Sequence, residues 1–251
     1  MNLLRAALAA GVFVVSQCSN LAADEKPTHL FILSGQSNMQ GLKPQNSFLP
    51  EAAKLLPDAK IAHIKVSRGG QPIRLWVTEW DEISQSAGLT QLNPKGPVYY
   101  KQIQAELKKL NHEKTQFASV SFCWMQGERD AKSGMEPAYE AALKKLISNL
   151  RRDLKRPEMN FVIGRISDHS PGSKFQSGWD RIREIHVDLA KADPRGSWVD
   201  TDDCNNKIKR DNPTNDLHYT QDGYILFGKR LARQAVRLIN GKKPAANGRP
   251  E

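Results

Sequence analysis

Apolar residues in this chain fall into short runs separated by longer stretches of helical period, and the first run ends in a glycine turn. His29-Leu30-Phe31-Ile32-Leu33 passes directly into Gly35-Gln36-Ser37-Asn38-Met39. Four to eight apolar residues bounded by such a turn read as a buried strand entering a loop. Ile61 to Ser67 alternates as a second strand, Ala118 to Trp124 forms a third, Met159 to Ile166 a fourth and Ser197 to Asp200 a short fifth. Gly96-Pro97 opens a helix whose apolar positions are Val98, Ile103, Leu107 and Leu110 and which ends near Asn111; proline suits a first helical turn. Tyr139, Leu143, Leu146, Ile147, Leu150 and Leu154 recur at helical spacing over 137–154, and Trp179 to Ala192 makes another helix. Tyr224, Phe227, Leu231, Ala235 and Leu238 mark a closing helix that ends near Gly241. Strands alternating with helices of this length predict an α/β fold: right-handed crossovers and a mostly parallel five-stranded sheet covered on both faces.

Ligands of such sheets bind outside the carboxyl ends of the strands, and the polar loops fall there. Ser37 follows strand one, Ser67-Arg68-Gly69-Gly70-Gln71 follows strand two, and Trp124-Met125-Gln126-Gly127-Glu128 follows strand three. Asn215-Asp216-Leu217-His218-Tyr219 lies after strand five, just ahead of the last helix. Serine after glycine commonly caps the next helix, but past a strand end it also occupies the place of an exposed nucleophile. A serine hydroxyl needs an adjacent imidazole base. His218 is the histidine placed for that role; His63, His112, His169 and His186 read as packed or surface residues, and His29 stands too early in its strand. A carboxylate or amide must then hold the other ring nitrogen. Asp216, Glu128 and Asn215 are the candidates, Asp216 first because it is charged and close along the chain. For a developing oxyanion the chain offers the Ser37 N–H, a glycine N–H from Gly69-Gly70 and the Gln126 side-chain amide. Arg68, Arg74, Trp76, Trp80, Arg129 and Asp130 could grip a sugar, with Trp76 also suited simply to packing its loop.

Composition narrows the reading. The 251 residues, 39% hydrophobic and 25% charged, suit one sizeable soluble domain without repeats. Met1 to Arg5 is basic, Ala6 to Val15 apolar, and Leu21-Ala22-Ala23 precedes Asp24-Glu25. That is the layout of a secretory signal peptide over residues 1–23, too short for a membrane span, so the protein is expected to be secreted or periplasmic. Gln17 before Cys18 argues against lipidation, which wants a small residue there. The expected domain is 24–241, followed by a Pro/Gly/Ala-rich, disordered tail over 242–251. The formal charge of +10 becomes +9 when Arg5 leaves with the signal. The basic residues are scattered over helices without interleaved aromatics, which disfavours nucleic acid as a partner. Cys123 and Cys204 lack metal or redox spacing, so no metal is expected; export permits a disulfide between them, which spacing alone does not decide.

Gly35-Gln36-Ser37-Asn38-Met39, the stretch from Gly69-Gly70 to Trp76, Trp124-Met125-Gln126-Gly127-Glu128 and Asp216-Leu217-His218 resemble the ordered blocks of the SGNH-hydrolase superfamily. Within it the chain is most similar to the sialate O-acetylesterase and acetylxylan esterase group of carbohydrate esterases (family 6-like), over residues 28 to 240. The resemblance implies a flavodoxin-like three-layer α/β/α sandwich, no cofactor, and removal of acetyl groups from carbohydrates. It implies Ser37 as nucleophile, His218 as base, and Gly70 and Gln126 as oxyanion donors. Many acetylxylan esterases carry the acid three residues before the histidine; here Asn215 holds that place and Asp216 lies two before, as in the sialate-esterase-like branch. The expectation is a serine esterase acting on acetylated sugars, set against a lipase- or thioesterase-like hydrolase and a glycan-binding module of the same fold. The sugar, the acetyl position and the oligomeric state stay open.

Overall fold

The five apolar runs form one sheet: β1 (Thr28–Gly35), β2 (Lys60–Ser67), β3 (Ser119–Met125), β4 (Asn160–Gly164) and β5 (Gly196–Val199). The computed structural model describes residues 26–169, 172–209 and 212–250; the signal-like residues 1–23 lie outside them. The strand order is β2-β1-β3-β4-β5 and every pairing is parallel. Central parallel strands are covered on both faces, which explains why Leu30, Phe31, Ile32 and Leu33 of β1 are all fully buried. β2 stands at the edge and buries only Ile64 and Val66, so its sequence alternates.

Eight helices flank the sheet among the described residues: α1 (Ser37–Gly41), α2 (Phe48–Leu55), α3 (Trp80–Ser86), α4 (Val98–Lys109), α5 (Glu128–Lys132), α6 (Glu136–Asp153), α7 (Gln176–Ala192) and α8 (Gln221–Ile239). α2 packs against α8, and α8 covers β3, β4 and β5; α4 covers β2, while α7 covers β4 and β5 and packs on α6. This is the three-layer, flavodoxin-like α/β/α sandwich that the sequence implied. The crossover direction reverses at β1.

Two features differ from the sequence reading. A two-stranded antiparallel ribbon, β6 (Asn206–Lys209) with β7 (Asn212–Asn215), precedes the His218 loop. It escaped notice because its residues carry neither apolar alternation nor β-branched enrichment. The tail expected to be disordered is packed through residue 250: Ala245 N donates to Gln234 Oε1 at 3.1 Å, Asp200 N to Gly248 O at 2.8 Å, and Arg249 Nε to Asp200 at 3.1 Å. Its composition suggested freedom, but backbone and arginine partners supplied by α8 and the β5 end hold it. Cys123 and Cys204, whose pairing the sequence left open, are both buried and unbridged.

Candidate active site

Three of the four polar loops leave the sheet at one level. Gly35 is in register with Ser67 on one side and Met125 on the other. Arg68 N donates to Gly35 O at 3.1 Å, and Gln36 N donates to Met125 O at 2.8 Å. Gly35 has φ +146°, and a Cβ built on it would lie 1.9 Å from Met125 O, so the turn that presents Ser37 requires glycine. Ser37 opens α1 and is half-buried. Gly69 lies against it, since a Cβ built there would be 3.6 Å from Ser37 Cβ. Among the described residues the backbone N–H groups of Ser37 and Gly70 have no hydrogen-bond partner, whereas Gly70 O accepts from Arg129 Nε at 2.8 Å.

His218 arrives from the far end of the chain. Leu217 O accepts from Asn38 Nδ2 at 3.1 Å, and Tyr219 N donates to Asn38 Oδ1 at 3.4 Å. Both neighbours of His218 are therefore docked on the residue next to Ser37. The His218 ring is exposed, and among the described residues neither it nor the Ser37 hydroxyl has a hydrogen-bond partner.

The candidate orienters take different places. Asp216 accepts from Lys207 Nζ at 3.0 Å, from Leu217 N at 2.6 Å and from His218 N at 3.5 Å. The Lys207 bond is the chief reason its carboxyl is held down at about 2. It reaches His218 through the backbone, not the ring. Glu128 is buried at the start of α5 and accepts from Asn38 Nδ2 at 3.0 Å, while its Oε2 has no partner. Burial pushes its pKa up to about 7 against the restraint of the Asn38 bond. Of Asn215 only the backbone is described, as the end of β7.

Gln126 is also fully buried. Its Nε2 donates to the Asp130 carboxylate and has Gln71 O and Gln36 Oε1 each at 3.2 Å. The expected oxyanion-facing amide thus has its two N–H groups directed at protein acceptors, in a lattice that braces the loops after β1, β2 and β3. Asp130 completes it by accepting from Ile73 N at 3.0 Å, and burial raises its pKa to about 6. Beneath it, Tyr139 OH donates to Gln126 O at 2.7 Å and meets His186 Nε2 at 3.0 Å. Burial lowers the His186 pKa to about 3, in keeping with a packed histidine. Trp76 and Trp80 are core residues, their indole N–H groups bonded to Ser34 Oγ at 2.9 Å and Gln91 O at 2.7 Å. Arg68 and Arg129 remain exposed at the rim.

The sequence reading missed what holds the His218 loop. Asn205 is fully buried; its Nδ2 donates to Asp216 O at 2.9 Å and its O accepts from Asp216 N at 3.2 Å. The segment around it is fixed by arginines: Arg230 to Asp203 at 2.6 and 2.8 Å, Arg183 to Asp202 at 2.8 Å, and Arg165 to Asp200 at 2.8 Å. The acidic run Asp200-Thr201-Asp202-Asp203 was the available signal. Among the described residues no group of three or more His, Cys, Asp or Glu is arranged to hold a metal ion, and no helix is long and apolar enough to cross a membrane.

The Glu128 environment predicts a pH effect on stability. Its folded pKa lies above the ordinary value, so the folded state holds the proton longer than the unfolded chain. Stability from this group is full below about pH 4 and is lost as pH rises through about 7. The difference is of the order of 3 kcal/mol. Glu128→Gln should therefore lose less stability than wild type between pH 5 and pH 8, as measured by thermal melts in matched buffers. An unchanged pH dependence would contradict the assignment.

Ser37 thus follows the strand at which the crossover direction reverses, with the His218 loop docked on its neighbour Asn38. The chain belongs to the carbohydrate esterases described as sialic acid-specific acetylesterases, whose family profile matches residues 40–237. Membership places it among the carboxylic-ester hydrolases. No curated protein matches it in sequence. Among solved structures, a protein from Arabidopsis thaliana is 21% identical, covering 84% of this chain and 98% of its own, with a TM-score of 0.58. A carbohydrate acetylesterase from Xanthomonas citri is 19% identical over 86% of this chain and 57% of its own, with a TM-score of 0.60. NanS is 14% identical over 86% and 97%, with a TM-score of 0.53. These likenesses establish the shared fold.

Proposed function

We propose that the protein is an exported carbohydrate O-acetylesterase that works through an acetyl-Ser37 intermediate. The observation that carries this reading is the docking of both flanks of His218 onto Asn38, the residue after Ser37, while Gly69 lies against Ser37 itself. His218 takes the hydroxyl proton as Ser37 Oγ attacks the acetyl carbonyl carbon, and the oxyanion forms toward the N–H groups of Ser37 and Gly70. Collapse breaks the ester bond, and His218 returns the proton to the departing sugar oxygen. Water, deprotonated by His218, then attacks the acetyl carbon and releases acetate, restoring the serine. Asp216 steadies His218 through its backbone and, as a nearby carboxylate, favours the imidazolium. Gln126 braces the donors. Export rests on the signal-like residues 1–23.

Arg68 and Arg129 favour an acidic sugar. Arginines elsewhere, such as Arg151, Arg165, Arg183 and Arg230, pair with carboxylates. The two at the rim have no carboxylate partner among the described residues; Arg129 spends its Nε–H on Gly70 O, which leaves the Arg68 fork and the remaining N–H groups of Arg129 for a substrate carboxylate. Acetate release from a panel of acetylated sialic acids, acetylated xylan and neutral acetylated sugars tests both points. The carboxylate-bearing sugar should be hydrolysed fastest, and Arg68→Gln should raise its KM roughly three- to tenfold more than that of a neutral sugar. Absence of acetate from every sugar would overturn the function; an unchanged acidic-to-neutral ratio in the variant would overturn the role of Arg68.

A further inference from the structure

We infer that Asn38 is the positioning residue of this site: its buried carboxamide fixes where His218 stands relative to Ser37 and links Glu128 to the histidine. The inference rests on the serine-esterase reading above, because it concerns how that pair is aligned.

A carboxamide offers two N–H donors and two acceptor positions, and all four are filled at Asn38. Nδ2 donates to Glu128 Oε1 at 3.0 Å and to Leu217 O at 3.1 Å. Oδ1 accepts from Tyr219 N at 3.4 Å and from Tyr224 OH at 3.2 Å. The side chain is fully buried. Its partners come from the start of α5, from both neighbours of His218 and from the first turn of α8. Asn38 is also joined to Ser37 by a peptide bond inside α1. A shift of the histidine loop therefore breaks bonds to the residue adjoining the nucleophile.

Among the described hydrogen bonds, those of Asn38 alone join the His218 loop to the helix that opens with Ser37. Among the described residues the His218 ring has no partner, and the Asp216 carboxylate accepts from Lys207 and from the backbone N–H groups of Leu217 and His218. Glu128 is bonded to Asn38, and the amide passes its placement on to Leu217. The chemistry at position 38 must be an amide. A carboxylate of the same shape cannot donate to Leu217 O or to Glu128, and it would face the Glu128 carboxyl. An apolar side chain would leave four buried polar groups unpaired.

The test compares wild type, Asn38→Asp, and Asn38→Asp combined with Glu128→Gln, with kcat and KM measured on p-nitrophenyl acetate and Tm on each protein. Asn38→Asp should lower kcat about 10²- to 10³-fold while KM moves less than about threefold, the signature of a misaligned nucleophile–base pair. The added Glu128→Gln supplies a donor at 128 for the acceptor at 38 and should return at least about tenfold of the lost kcat. Wild-type kcat in Asn38→Asp, or a loss that the second substitution does not relieve although Tm recovers, would overturn the inference. Should Asn38→Asp fail to fold, Tyr224→Phe removes one of the four bonds. It should lower kcat about three- to tenfold at unchanged KM; unchanged kcat would count against the inference. Full activity in Ser37→Ala would instead overturn the esterase reading, so the two failures are separate.

Discussion

Ser37→Ala protein is expected to keep its fold and to lose at least about 10⁴-fold in kcat/KM on p-nitrophenyl acetate, because no other group replaces the attacking oxygen. His218→Ala should fall by a similar factor, and the double variant should be little worse than either single one, since the two side chains act as one unit. Neither change should shift Tm appreciably. The Ser37 hydroxyl and the His218 ring have no hydrogen-bond partners among the described residues, and His218 is exposed. Steady-state kinetics beside thermal melts check this. Retained activity in either variant would remove that residue from the mechanism, and a parallel loss of Tm would mean that its role is in the fold.

Gly35→Ala is the substitution with the largest expected effect on stability. The added Cβ would stand 1.9 Å from Met125 O at φ +146°, at the carboxyl end of the register that pairs Gly35 with both Ser67 and Met125. Relief requires β1 and β3 to part at their carboxyl ends, where Gln36 N bonds Met125 O at 2.8 Å. A strained backbone together with a lost core contact places the cost at roughly 4 kcal/mol or more. That corresponds to a fall in Tm of roughly 8–16 °C for a chain of this size. Protein that still folds should also turn over slowly, because the same turn carries Ser37. A melt within about 2 °C of wild type would contradict the steric account.

The sheet was legible because its strands announce themselves locally. Leu30 to Leu33 is a run that only a strand covered on both faces tolerates, and the alternation from Ile61 to Ser67 marks an edge. The long amphipathic helices α6, α7 and α8 were legible for the same reason, since each spans several turns. The short helices were not. α1 has five residues and α3 seven, too few for a helical period to show. α2 escaped as well, although it packs α8 over one face of the sheet.

At the site, the sequence could place Ser37 on the rim because a strand end leads there, whereas the His218 loop follows the β6–β7 ribbon and is docked by its bonds to Asn38. The sequence did not reveal which polar atoms pair. The bonds from Asn38 to Glu128 and Leu217 span 90 and 179 residues, and no local pattern encodes such a pairing. The same holds for the arginines that fix Asp200, Asp202 and Asp203 beneath the histidine loop. Gln126 shows the converse. Its residue type suggested an oxyanion donor, while its actual neighbours, Asp130, Gln71 and Gln36, turn its N–H groups inward. Asp216, the favoured orienter, lies close along the chain but is engaged by Lys207.

Ser37 as a nucleophile is tested most directly by stoichiometric labelling with a fluorophosphonate, followed by peptide mass spectrometry and an activity assay on the same sample. The account predicts one label per chain, located on the peptide containing Ser37, with activity falling in proportion and no labelling of Ser37→Ala. Activity that survives complete labelling, or a label carried by another residue of an inactivated enzyme, would contradict it.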